Sequence, residues 1–182
     1  MYLENEYVIK AETMSLHSLF NETGEWNTLV HEQYRTLQIA KPLKTVLSDN
    51  CDKLGSSLTG KLDAAKKVLK NRRMLPLCLS TRYRICLFPT HSIDHQECVW
   101  FSVDHIRDIQ EYKDGSIVIL TNYQEIYCPL HPEQLYTRKS LASELIYNYM
   151  VNEAKLGEQK MYGFVADQSE RYVTGSVDTF LH

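Results

Sequence analysis

The spacing of apolar and polar positions changes period three times along this chain. Residues 6–40 hold short alternating segments, "YVIK", "NTLVHE" and "YRTLQIA", set apart by "NETGE", whose Asn, Gly and acidic side chains suit a turn. Alternation places successive side chains on opposite faces of a strand, so two or three strands are predicted here. At "KPLKTVLSDNCDKLG" the period becomes helical. Leu43, Val46, Leu47, Cys51 and Leu54 share a face, Pro42 suits the first turn and Gly55 the stop. After "SSLTG", which reads as a connection, "KLDAAKKVLKNRR" sets Leu62, Ala65, Val68 and Leu69 on one face and Lys66, Lys67 and Lys70 opposite, the pattern of a basic amphipathic helix.

From Pro76 the period returns to two in "PLCLS", "RICLF" and "CVWFSVDHI", and again in "SIVILT" and "EIYCPL", which face each other across "NYQ" as a predicted hairpin. "SIVILT" is apolar at both parities, as a strand covered on each side would be. Pro132 opens the longest helical pattern, with Leu135, Ala142, Leu145, Ile146 and Tyr149 on one face. Beyond about Gly157 no period remains, so residues 158–182 are expected to be a loosely docked or mobile tail following a domain of residues 1–157. The expected fold class is α+β: a single domain of antiparallel strands and hairpins with two short helices and a long C-terminal helix.

Composition narrows the class. A chain of 182 residues, 43% hydrophobic and 24% charged, fits one soluble globular domain. No apolar run approaches the length of a membrane span, and "MYLENEYVIK" lacks the basic-then-apolar order of a secretory leader, so a cytoplasmic location with no membrane partner is expected. The five cysteines are an odd set with no CxxC pair, which reads as reduced thiols packed as small hydrophobes.

Charge changes the picture more. The net charge of −3 argues against a nucleic-acid binder only if it is evenly spread. Between Lys41 and Arg84 there are eleven basic residues (Lys41, Lys44, Lys53, Lys61, Lys66, Lys67, Lys70, Arg72, Arg73, Arg82 and Arg84) against three acidic ones, +8 locally and −11 for the remainder. Such segregation draws a polyanion to one region while the rest of the molecule repels it. Neutralising about six to eight phosphates would lower affinity about a thousandfold or more between about 50 and 200 mM salt.

Six segments in order, "KPLKTV" with Cys51, "GSSLTGK", "MLPLCL", "LFPTHS", Cys98 and Trp100 with "FSVDHI", and the "IVILTN" hairpin before its helix, resemble the ComK family of competence transcription factors of Gram-positive bacteria over about residues 40–150. The resemblance implies an activator of DNA-uptake genes that binds paired A·T-rich boxes in double-stranded DNA, mainly through the minor groove, as a homo-oligomer. It also implies phosphate or groove contact by Ser56 and Ser57 in the GSSxxG-like segment that ends at Gly60, with Lys53 and Lys61 on its flanks. Family members can be recognised by a protease adaptor through the C-terminal region; the aromatic-basic motif expected for this is not evident here. Where the family has an arginine near the second glycine and a strand-like stretch, this chain has Lys61 and a helical pattern. That departure leaves room for an alternative, a diverged regulatory protein that binds a partner or adaptor and DNA only weakly.

His91, His95 and Cys98 lie within eight positions and invite a zinc reading with Asp94 as a further ligand nearby, but their spacing requires the segment to turn. Cys98 reads instead as a buried neighbour of Trp100, and the histidines as residues of an exposed loop between strands. Asp104 and His105, adjacent on an expected strand, would point to opposite faces and form no dyad. Neither GxSxG nor a complete GxxxxGK[ST] phosphate-binding loop occurs, since Leu62 follows Gly60-Lys61, so no catalytic residue, metal or cofactor is expected.

Overall fold

The computed structural model describes residues 3–20 and 24–173, with side chains described to residue 157. In chain order the elements are β1 (Leu3–Glu4), β2 (Thr13–Phe20), β3 (Trp26–Glu32), β4 (Thr36–Ile39), α1 (Leu43–Lys53), α2 (Leu58–Val68), β5 (Leu77–Ser80), β6 (Ile85–Pro89), β7 (Val99–Ser102), a 3-10 turn (Val103–His105), β8 (Ile106–Tyr112), β9 (Gly115–Leu120), β10 (Glu125–Cys128) and α3 (Pro132–Val173). The fold is α+β, as the periods predict. Residues 1–147 form one compact unit; residues 148–182 form a second, whose described part is the continuation of α3. The expected tail at 158–182 lies, for its side chains and for residues 174–182 altogether, outside the described residues.

Seven strands make the main sheet in the order β1-β4-β3-β2-β7-β6-β5, and β10-β9-β8 make a smaller one. All pairings are antiparallel except β1 with β4. Both faces of the main sheet are buried at its centre. On one face Leu16, Val30, Ile39, Leu77, Leu87 and Trp100 pack with Leu43, Val46, Leu47 and Cys51 of α1 and Leu58 of α2. On the other face Met14, Cys86, Phe88 and Phe101 are sealed. Groups from the small sheet and from α3 reach this side: Thr121 Oγ1 lies 3.8 Å from Met14 Sδ, and the Cys86 thiol donates to the Ala142 carbonyl at 3.5 Å.

Several expectations need correction. "YVIK" is not a strand but an irregular segment, because Asn50 occupies its backbone groups. The Asn50 Oδ1 accepts the Ile9 N–H at 2.8 Å, while its Nδ2 donates to the Tyr7 carbonyl at 2.9 Å and to the Val46 carbonyl at 2.8 Å. The strand the pattern missed is β2, "TMSLHSLF", whose polar positions Thr13 and Ser15 are as buried as its apolar ones. The connection "SSLTG" is shorter than expected, since α2 starts at Leu58 with Ser57 as its cap. That helix also ends earlier, at Val68, leaving Lys70 to Arg73 outside it. Residues 103–105 form a 3-10 turn in place of strand. The strand β9 is the middle one of its sheet; Ser116, Val118 and Leu120 are sealed, but Ile117 and Ile119 are only partly covered.

The face of β2 and β3 turned toward Phe101 and Gln124 carries two histidine rings in edge-on contact, His17 and His31, with centroids 4.8 Å apart. Burial pushes the pKa of His17 down from 6.5 to about 3, with the neighbouring His31 adding to the effect, and burial lowers His31 as well. The unfolded chain therefore binds protons more readily than the folded one below about pH 6.5, and stability falls with pH there. The melting temperature is expected to hold steady above about pH 7 and to drop between pH 7 and 5, and His17→Gln should shrink that drop; thermal unfolding monitored by circular dichroism checks this. In denaturant unfolding, Asn50→Ala should cost about 2–4 kcal/mol, because it orphans the Ile9 N–H and the Tyr7 carbonyl at a buried site.

Candidate nucleic-acid interface

The basic residues sit just before and on α1, on α2, on the loop after α2 and on the β5–β6 hairpin. Four of them are already paired. Lys41 meets Asp49 at 2.7 Å, Lys44 meets Asp94 at 3.1 Å, Lys53 meets Glu6 at 3.4 Å, and Arg84 grips both oxygens of Asp104 at 2.8 and 3.0 Å. Exposed pairs of this kind contribute little stability, so a stronger anion can displace the carboxylate. They still lower the local field. Lys61 is turned to the sheet edge, its ammonium donating to the Cys78 carbonyl at 3.2 Å. Arg82 rests over the Tyr83 ring, 5.4 Å from its centroid.

The remaining five, Lys66, Lys67, Lys70, Arg72 and Arg73, are exposed, and among the described residues none forms an ion pair. They fall within eight consecutive positions. Leu69 ends the helix by donating its N–H to the Ala65 carbonyl, after which Lys70 (φ 53°), Asn71 (φ 61°) and Met74 (φ 53°) adopt left-handed conformations without glycine. Each such residue is disfavoured by about 1 kcal/mol or more, asparagine least. The reversal at Lys70 and Asn71 is tied down by the Asn71 N–H on the Lys66 carbonyl at 2.9 Å. It directs Arg72 and Arg73 away from the helical path that the sequence pattern implied. A groove of about 590 Å³ runs beside them, with Lys66, Arg72 and Arg73 on its rim and Leu62, Leu75, Ile93 and Trp100 among its apolar walls.

The serines are engaged within the protein. Ser56 donates its hydroxyl to the Cys51 carbonyl at 3.2 Å, where Gly55 (φ 70°) has stopped α1. Ser57 caps α2, its Oγ accepting the Gly60 N–H at 3.0 Å, and a Cβ added at Gly60 would stand 3.0 Å from that same oxygen. The glycine is thus explained by a tight helix start. The first backbone N–H groups of α2 are left unbonded by the helix itself.

The histidine loop lies between β6 and β7, as expected, but the groups it brings together are His91, His95 and Glu97, within 4.8 Å of one another. Cys98 faces inward: its thiol donates to the His91 carbonyl at 3.3 Å, and burial pushes it up to about 11. Asp94 is held by Lys44. The two imidazoles are stacked at 4.5 Å with planes 14° apart, so their in-plane lone pairs run side by side and do not converge, and His95 Nδ1 already accepts the Glu97 N–H at 3.1 Å. Asp104 pairs with Arg84, while His105 contacts the Ala11 carbonyl and Thr121, so the two adjacent residues have separate partners. Protein purified without a histidine tag is expected to carry zinc well below stoichiometry by elemental analysis.

What the sequence missed is which cations stay free and that the backbone reverses at Lys70 and Asn71. "KNRRM" carries no glycine to signal the turn, and Glu6, Asp94 and Asp104 lie 47, 50 and 20 positions from the cations they neutralise. Compared with known families, the chain matches the family model described as ComK protein over residues 4–154. No curated protein and no solved structure matches it.

Proposed function

The chain belongs to the ComK family of competence transcription factors, and from that premise we propose that it activates DNA-uptake genes by binding paired A·T-rich boxes in double-stranded DNA. In this reading it acts as a homo-oligomer, without catalysis, cofactor or membrane. The observation that carries the reading is the free cationic segment Lys66, Lys67, Lys70, Arg72 and Arg73. The minor groove of A·T runs is narrow and strongly negative, and it admits arginine side chains on the basis of shape and potential. Arg72 and Arg73, on the reversed loop, are the residues assigned to the groove. Lys66, Lys67 and Lys70 are assigned to the flanking phosphates, with the N-terminus of α2, beside Ser56 and Ser57, as a further backbone contact. Lys41, Lys44, Lys53 and Arg84 join only by leaving their carboxylates, and Lys61 only by leaving the Cys78 carbonyl.

Five free cations lower the expected salt response. Neutralising about five phosphates gives a log–log slope of about −4.5, a loss of several hundredfold between about 50 and 200 mM salt. The deciding measurement is a mobility-shift titration on a two-box A·T-rich duplex beside a G·C-substituted control. Binding is expected to favour the first by tenfold or more and to follow that slope. Arg72→Ala with Arg73→Ala should weaken binding at least about tenfold and flatten the slope by about 2, whereas Lys53→Ala should change it by less than about threefold. Equal binding to both duplexes would remove the proposal.

A second reading has its own support. The Lys61 ammonium, at the position where the family has arginine nearby, is directed to the sheet edge, and four further cations are neutralised. A diverged member that binds a partner or a protease adaptor, and DNA only weakly, would show this arrangement. Micromolar or weaker binding to the A·T duplex at low salt is the result that favours it.

A further inference from the structure

Cys78 and Cys86 stand directly opposite each other in the antiparallel β5–β6 ladder. Opposed residues of such a ladder have Cα atoms about 4.5–5.5 Å apart, inside the range of about 4.4–6.8 Å that a disulfide spans. Both side chains lie on the sheet face turned from α1 and α2. The remaining cysteines lack such a match: Cys98 donates to the His91 carbonyl, and neither Cys51 nor Cys128 lies opposite a cysteine in a ladder. All five are reduced and buried.

We propose that Cys78 and Cys86 form a reversible disulfide across the β5–β6 hairpin, made by exchange with a low-molecular-weight disulfide. One cysteine thiolate displaces a thiol from the external disulfide and is left in a mixed disulfide. The second thiolate then attacks the protein sulfur of that mixed disulfide and releases the other small thiol. Two protein S–H hydrogens end on two small thiols, and one S–S bond replaces another. Access comes from the edge. β5 is the last strand of the sheet, and the ladder is irregular between Cys78 and Ser80, so the hairpin can open without disturbing the centre. The neighbouring Cys78 thiol, and burial, hold the Cys86 thiol well above the ordinary range, which makes exchange slow and dependent on that opening. The closed ring would contain Arg82 and Arg84 and would remove the thiol hydrogen that Cys86 gives to the Ala142 carbonyl of α3. Oxidation is thereby coupled to a basic hairpin and to the helix behind it.

The test uses the full-length wild-type chain in mixtures of reduced and oxidised glutathione at about pH 8, in two arms: native protein in sub-denaturing urea, and protein refolded through the mixture so that access is not limiting. Free thiols are then alkylated and the mass is read. Trypsin cuts after Arg82 and Arg84, so the link would join peptides 74–82 and 85–107, with fragmentation placing it on Cys86 in preference to Cys98. The expected result is a species lighter by two hydrogens, linked at Cys78 and Cys86, melting about 5 °C or more above the reduced form. A positive refolding arm with a negative native arm supports the pair and places the barrier at the opening. Five free thiols in both arms at the most oxidising mixture, or a link at any other pair, would overturn it. Neither outcome bears on DNA binding.

Discussion

A sheet that buries both faces needs two covers, and this requirement organises the protein. Strands β7 and β6 have no solvent side: Trp100 and Leu87 face the helices, while Phe101, Phe88 and Cys86 face the small sheet and α3. A sheet with one wet face could have tolerated a missing layer; here removing either one would expose a continuous apolar surface. The two short helices and the C-terminal helix are therefore not appendages. They are the reason the strands can read as almost unbroken runs of Leu, Ile, Val, Phe and Cys. Asn50 extends the same logic to the N-terminal segment, joining α1 to residues 7–9 through groups that would otherwise be buried without partners.

The covering helices also carry the basic residues, which links architecture to electrostatics. A helix that lies flat on a sheet must turn its polar face outward, and on α2 that face holds Lys66 and Lys67. The acidic excess of the remaining chain is not kept at a distance, since Glu6, Asp94 and Asp104 reach across to cations on the same region. The formal excess of positive charge counted along the sequence is thus larger than the one a ligand would meet. The free portion is confined to the end of α2 and the loop beyond it, where a left-handed backbone sets two arginines side by side.

How much of this could be read from the chain depends on whether the deciding interactions are local. The helical face of Leu43, Val46, Leu47 and Cys51 is set by spacing alone, and Pro132 followed by regularly placed apolar residues marks α3 equally well. β2 was hidden because burial of Thr13 and Ser15 depends on partners in other strands, which no local pattern records. The left-handed turn at Lys70 and Asn71 was hidden because tertiary packing overrides the helical preference of the lysine. The same non-locality explains the site: eleven cations were countable, but the carboxylates that neutralise four of them come mostly from distant segments. The register of Cys78 against Cys86 is a property of the hairpin, legible only once its bulge is placed.

The pairing of β2 with β7 has a consequence for synthesis. Ser15 meets Phe101, and Leu16 meets Trp100, across more than eighty residues of intervening chain. β2, β3 and β4 can zip into a meander soon after leaving the ribosome, yet the flank of β2 stays open until β7 has emerged and docked. Long-range closure of this kind is slow compared with hairpin formation. During that interval the nascent chain displays an uncapped strand bordered by Met14 and Leu16.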